Sequence, residues 1–229
     1  MRPTRRRARV LALIVMLGCA PAAAGAQVYV GSDKPRRGSV EVAGGGLWTG
    51  SQDLPPSAAL LTVNPSAGLS SFEQFTSESS IGAALGLHGA VAVYVTRSVA
   101  IEGGLQLSRP QLKVRLADDV EDAPDVTATT TMTAYLFTGS VLYHFGGSGR
   151  TVPFIAAGAG HIRDVHSGSE LVETGLEYHG KAGVKMWFGT LRRFGLRAEG
   201  GLSVRDGGFS YDDDRRIAPT AAVSLLYLF

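Results

Sequence analysis

Eight times along this chain of 229 residues, apolar side chains alternate with polar or small ones at a period of two. That period places successive side chains on opposite faces of an extended strand, so each segment reads as a strand with one apolar face. The segments fall near 38–49, 81–96, 99–116, 131–145, 151–163, 171–188, 194–206 and 216–229. Their connections alternate too. Residues 50–80, 117–130, 164–170 and 207–215 are longer polar loops, whereas Arg97-Ser98, Gly146–Arg150 and Gly189–Arg193 are tight turns. Long loops at one end and short turns at the other are what an antiparallel up-and-down meander produces, and an even strand count returns both ends of the sheet to the same side.

The faces sort segment by segment. In 171–188 the apolar set is Leu176, Tyr178, Ala182, Val184, Met186 and Phe188, and the polar set is Glu173, Glu177, His179, Lys181 and Lys185. In 194–206 Leu196, Ala198, Leu202 and Val204 oppose Arg197, Glu199, Ser203 and Arg205. In 99–116 the apolar residues are odd-numbered through Leu107 and even-numbered at Leu112, Val114 and Leu116; Pro110 cannot donate to a ladder, which predicts a bulge near Arg109-Pro110.

Composition narrows the class. Arg2, Arg5, Arg6, Arg7 and Arg9, an apolar run from Val10 to Leu17 and the small residues around Ala26 form a secretory signal, expected to be cleaved after Ala26. Its apolar run is too short to span a bilayer as a helix. Removing these five Arg from 22 basic residues leaves 17 against 20 acidic ones, so the mature chain is near −3 and gives no reason to expect nucleic acid. Its one Cys lies in the signal, so the mature chain has neither disulfides nor thiolate metal ligands. The expected organisation is 1–26 signal, 27–37 lead-in and 38–229 barrel.

Period-two alternation fits a barrel with either face outward. Lipid outside is favoured by the aromatics near strand ends: Trp48 near one rim, and Tyr143, Phe145, Phe154, Trp187, Phe188 and Phe194 near the other, as a membrane girdle requires. The opposite face is crowded with small residues such as Ala43, Gly45, Gly86, Ala90, Ala157 and Ala159, which suits a narrow lumen.

The last nine residues alternate apolar side chains with Leu225, Tyr227 and Phe229 on one face. This ending resembles the carboxy-terminal assembly signature of Gram-negative outer-membrane barrels. Val152–Gly160, Gly180–Phe188 with Phe194–Glu199, and Val99–Gly104 resemble the fifth, the sixth and seventh, and the third strands of the small barrel family that includes OmpA, OmpX and opacity-type proteins. The resemblance implies an eight-stranded antiparallel transmembrane β-barrel in the outer membrane, with both termini periplasmic. It also implies recognition by the barrel-assembly machinery and contact with outer-membrane lipid and lipopolysaccharide. Members of that family serve as envelope anchors, adhesins, stress proteins and narrow channels, so the fold does not choose a role.

The concentrated chemistry is the inward polar set: Glu41, Glu102, Glu173, Glu177 and Glu199 with Lys113, Arg115, Arg163, Lys181, Lys185, Arg197 and Arg205. Side chains nearly fill an eight-stranded lumen, and charges there must pair. The expectation is a closed, ion-paired plug beneath four external loops, with a structural or surface-interaction role. The alternatives are a narrow porin-like channel and a soluble lipocalin-like binder with the faces reversed. No metal site or cofactor is expected, because the five His lack ligand spacing. Catalysis is not expected either: Asp164, His166 and Ser167 are the one grouping that resembles a hydrolase set. The Ser-rich first loop, with Leu60, Leu61, Phe72 and Phe75, and the acidic runs at 117–125 and 212–216 are candidate sites for an extracellular ligand. The expected state is a monomer.

Overall fold

The computed structural model describes residues 35–61, 72–117, 124–146, 149–167, 171–207 and 215–229. The proposed signal and most of the lead-in, Asp118–Asp122 and Asp212–Asp214 lie outside these residues. Twelve strands follow one another: β1 Val40–Thr49, β2 Gln52–Asp53, β3 Ser57–Leu61, β4 Phe72–Ile81, β5 Ala84–Tyr94, β6 Val99–Ser108, β7 Gln111–Ala117, β8 Val126–His144, β9 Thr151–His166, β10 Val172–Phe188, β11 Phe194–Gly207 and β12 Arg216–Leu228.

Eight of them close a barrel. Going round it, β1, β5, β6, β8, β9, β10, β11 and β12 pair antiparallel in turn, and β12 returns to β1 through Glu41↔Leu228 to Thr49↔Thr220. Closure leaves no free edge, so every wall amide has a neighbour to bond to. The short turns occur where the sequence places them. Thr96 accepts the amides of Ser98 and Val99 at 3.2 and 3.0 Å. Gly146 and Gly189 take positive φ, the left-handed conformation a side chain resists.

Three of the other four strands, β2, β3 and β4, correct the expectation of a long polar loop over 50–80. β2 and β3 each pair with β4, and β4 pairs with β7, which pairs in turn with β8. A second sheet therefore stands on the long-loop end of the wall above strands β5, β6 and β8. Its Ser- and Thr-rich strands read as loop because both of their faces meet little hydrocarbon.

The phase change in 99–116 also has another cause. Ser108 faces Ala134 and Gln111 faces Thr131, so two residues on each strand separate these pairs and no residue is inserted at Pro110. The Pro110 carbonyl accepts the Met132 amide at 2.9 Å. The extra residue lies on the neighbouring strand. Between Ile81↔Leu112 and Gly86↔Ser108, four residues (82–85) oppose three (109–111), a bulge at the β4–β5 break. Even-numbered residues point inward along β6 and as far as Val114 in β7. What inverts is the chemistry: inside β6 are Glu102 and Gln106, and inside β7 is Leu112, packed against buried Ile81 and Met132 with Leu54.

The outside of β8 records the same change along one strand. From the long-loop end its outward residues run Thr127, Thr129, Thr131, Thr133, then Tyr135, Phe137, Val141 and Tyr143. Hydroxyls give way to an aromatic, then to hydrocarbon, then to a second aromatic. From Tyr135 to Tyr143 is about 26 Å along the strand, or about 20 Å after a barrel tilt. Leu85, Leu87, Ile101, Leu202, Val223 and Leu225 continue this belt round the barrel, each more than half exposed. In water such a belt would aggregate; in a bilayer it is the surface hydrocarbon requires.

Candidate functional site in the filled lumen

Inward residues pack the interior in tiers. At the short-turn end, Tyr94, Ala100, Leu142 and Phe154 form one buried cluster, and Ala43, Val152, Trp187 and Leu226 another, with Leu228 against both. Phe154 and Trp187 are 1% and 4% exposed, so they are not girdle residues as expected. In β9 both faces carry Ala and Gly, which hides its parity; Ala156, Gly158 and Ile162 point inward, while Ala157, Ala159 and Arg163 point outward. Trp48, Tyr143, Phe145, Phe188 and Phe194 are exposed on the exterior, and Tyr227 stacks edge-on with both Phe194 and Phe229.

Directly above the aromatic floor sits Lys185, 0% exposed. Its Nζ donates to both Glu41 oxygens at 2.7 and 2.9 Å and to the Tyr94 hydroxyl at 3.3 Å. Tyr94 in turn donates to Glu41 at 2.9 Å and stacks on His144 with centroids 5.1 Å apart. Lys185 Nζ also lies 5.4 Å from the Phe154 ring centroid, and the Arg197 guanidinium lies 4.8 Å from the same ring. The floor is therefore both apolar filler and a face for two cations.

The next tier is centred on Arg197, 1% exposed. Its Nη1 and Nη2 donate to Glu102 at 2.5 and 3.1 Å, and Nε donates to Glu199 at 2.7 Å. Lys181 adds a 3.3 Å contact to Glu199. A planar five-donor guanidinium can hold one carboxylate with a two-donor fork while bonding a second, a geometry that the point charge of a Lys does not offer. Beside this tier His88 Nε2 lies 2.6 Å from Ser224 Oγ. A cavity of about 10 Å³, lined by Leu47, His88, Gln106, Lys181, Glu199 and Thr220, has room for a single water.

Towards the long-loop end Arg205 donates to Glu177 at 3.0 Å, and His179 lies 2.8 Å from Ser140 Oγ. Outermost, His166 lies 3.1 Å from Glu173. Asp164, opposite Glu173 in register, is buried with its Oδ1 unpartnered among the described residues.

Three cations expected inside are outside. Lys113, Arg115 and Arg163 project from the exterior wall, and Arg115 pairs with Glu78 at 3.2 Å and Asp125 at 2.6 Å. Sequence parity misplaced Lys113 and Arg115 because the apolar face of their strand switches sides at the end of the belt. Conversely, Tyr94, His144 and Phe154 hold the floor of the plug. Tyr94 shares the parity of His88 on its strand, but nothing local in the sequence signals that it joins the Glu41–Lys185 pair.

The chain matches no family model and no curated protein. Among solved structures it is similar to the outer membrane protein OprG from Pseudomonas aeruginosa. That match has a TM-score of 0.51 and 11% identity, covering 87% of this chain and 99% of that one. Neisserial surface protein A matches with a TM-score of 0.44 and 14% identity, over 84% and 99% of the two chains. Ail of Yersinia pestis matches with a TM-score of 0.43 and 13% identity, over the same shares. The fold is that of a small eight-stranded outer-membrane β-barrel.

Proposed function

We propose that this chain is an outer-membrane scaffold: a barrel closed by its own side chains, with both termini periplasmic, that presents a raised β-sheet rim to the cell exterior. The observation that carries this reading is the depth of Lys185 and Arg197. Both are held in the lumen by Glu41, Glu102 and Glu199 with essentially no exposed surface. A solute would have to displace them, and a buried cation stripped of its acids costs about 3–5 kcal/mol. The apolar exterior opposes the lipocalin-like alternative, which needs charge outside and an apolar cavity inside. The role is then exercised at the rim, where β4, β7 and the first turns of β8 rise beyond the belt. Extracellular ligands belong on that rim and on the loops it carries. The chain acts as a monomer delivered by the barrel-assembly machinery, to which Leu225, Tyr227 and Phe229 present the terminal strand.

Planar-bilayer recording tests this reading. Purified, folded protein gives no discrete conductance, whereas Arg197→Ala with Lys185→Ala opens small steps. Steps from the unsubstituted protein would instead support a narrow channel. The water-sized cavity beside Lys181 and Glu199 favours that second reading, because it leaves room for a water in the tier just above the constriction. Migration of unboiled protein at a different apparent mass from boiled protein, in outer-membrane fractions, tests the placement separately.

A further inference from the structure

The outward face of the second sheet carries two cross-strand rows of charge, and they are built differently. In one, Glu78 of β4 faces Arg115 of β7, which faces Thr127 of β8. That row is closed on itself, because Arg115 donates to Glu78 at 3.2 Å and to Asp125 at 2.6 Å. In the other, Asp53 of β2 faces Ser80 of β4, which faces Lys113 of β7. Here the charges stand open. Asp53 and Lys113 are exposed, and neither has an ion pair or a side-chain hydrogen bond among the described residues. Ser80 between them keeps their strands two spacings, about 10 Å, apart. A groove of about 470 Å³ lies along this row, lined by Asp53, Ser80 and Lys113 together with Ser79. The Glu78–Arg115 pair and Thr127 bound it on the side away from the barrel, and Leu54 and Pro56, where the chain leaves β2, give it an apolar wall.

We infer that this groove binds a short peptide with free termini, its ammonium on Asp53 and its carboxylate on Lys113. The inference deepens the scaffold reading above and rests on it, since that reading turns the rim to the cell exterior. Glu78 and Arg115 are direct neighbours and neutralise each other, whereas Ser80 separates Asp53 from Lys113 and can neutralise neither. An acid and a base left open at the two ends of one groove complement a ligand that carries both charges, and each penalises a ligand of its own sign. The gap sets the length. At about 3.4 Å per extended residue, two or three residues reach from one end to the other. A free amino acid, with both charges on one carbon, cannot engage both. Arg115 is occupied by two carboxylates, which leaves Lys113 to take the peptide carboxylate. The Ser80 hydroxyl lies where a peptide amide would pass, and Leu54 and Pro56 offer contact to an apolar side chain.

Saturation-transfer NMR titration of the folded full chain in detergent micelles tests the site with four probes: trialanine, N-acetylated trialanine, trialanine amide and free alanine. Trialanine binds most tightly, and blocking either terminus weakens it about tenfold. Free alanine binds no better than the blocked peptides. Asp53→Asn lowers trialanine to the level of its acetylated form and makes acetylation immaterial; Lys113→Gln does the same for amidation. Arg97→Gln/Arg193→Gln at the short-turn end changes nothing. Equal binding of all four probes overturns the proposal, as does an acetylation penalty that survives Asp53→Asn. Heat-modifiable migration of each variant keeps the two readings apart. Absence of the shift in the unsubstituted chain sinks the membrane reading on which the site rests, while a shift without discrimination among the probes sinks the site alone.

Discussion

Arg197 bonds to Glu199, two residues further along its own strand, while both its terminal nitrogens reach Glu102 across the lumen. One residue thus ties β11 to itself and to β6, and two carboxylates depend on a single guanidinium. Arg197→Met leaves Glu102 and Glu199 buried without their guanidinium, Glu199 keeping its bond from Lys181, at a cost of about 3–5 kcal/mol. Arg197→Met/Glu102→Gln/Glu199→Gln removes charge from all three and recovers most of that loss, since a neutral filled core of similar volume is often as stable as a buried ion cluster. Urea unfolding in micelles, followed by the gel shift, distinguishes the two. A triple variant no more stable than Arg197→Met would show that specific bonds, not uncompensated charge, dominate.

The chain has two Trp, and the structure puts them on opposite sides of the wall: Trp48 is 41% exposed and Trp187 is 4% exposed. In vesicles containing brominated lipid, the Trp187→Phe variant, which retains Trp48, loses much of its fluorescence. The Trp48→Phe variant, which retains Trp187, keeps most of its emission. Equal quenching of the two would return Trp187 to the lipid face.

These two residues also show where the faces were legible. β10 and β11 carry their lumen charges at alternate positions, so Lys185, Arg197 and Glu199 could be assigned a face from period alone. β9 could not be read that way, because Ala and Gly occupy both faces and leave Phe154 and Ile155 as rival aromatic and aliphatic markers. Trp187 was read as girdle from its nearness to a strand end, although it shares parity with Lys185 and Lys181. Partner choice was beyond reach of local pattern: Lys185 takes Glu41, 144 residues away. The rim was missed because Ser and Thr strands in water carry no hydropathy contrast.

Hydrogen exchange checks that rim. Gln111–Leu116 are flanked by β4 on one side and β8 on the other, so their amides exchange about 100-fold or more slowly than those of a solvated loop. Exchange at loop rates across 111–116 would mean that the second sheet does not persist in solution.

Two glycines of β10 are expected to behave in opposite ways. A Cβ on Gly183 would run into the Ala198 carbonyl oxygen and come within 2.7 Å of the Phe154 ring, whereas one on Gly180 meets nothing within 4 Å. Gly183→Ala lowers stability by about 1–3 kcal/mol, and Gly180→Ala is neutral or slightly favourable. Unfolding midpoints in one detergent compare them directly; equal midpoints would mean that the floor can yield around Phe154.

The exchange of chemistry across the wall has a consequence for how the strands find their alignment. On β8 an outward hydroxyl series becomes an outward aromatic and aliphatic series, while Met132, Leu136, Ser140 and His144 pass the opposite sequence of environments on the inner side. A slip of one residue would turn Tyr135 and Phe137 into the lumen and Ser140 and His144 into lipid. The same slip would carry Met132 into water and Thr131 and Thr133 into the packed interior of the rim. The error would be penalised independently in both solvents, so neither half can compensate for the other. Each long strand carries its own depth mark, and the wall is held in register by disagreement with every neighbouring alignment as much as by the bonds of the correct one.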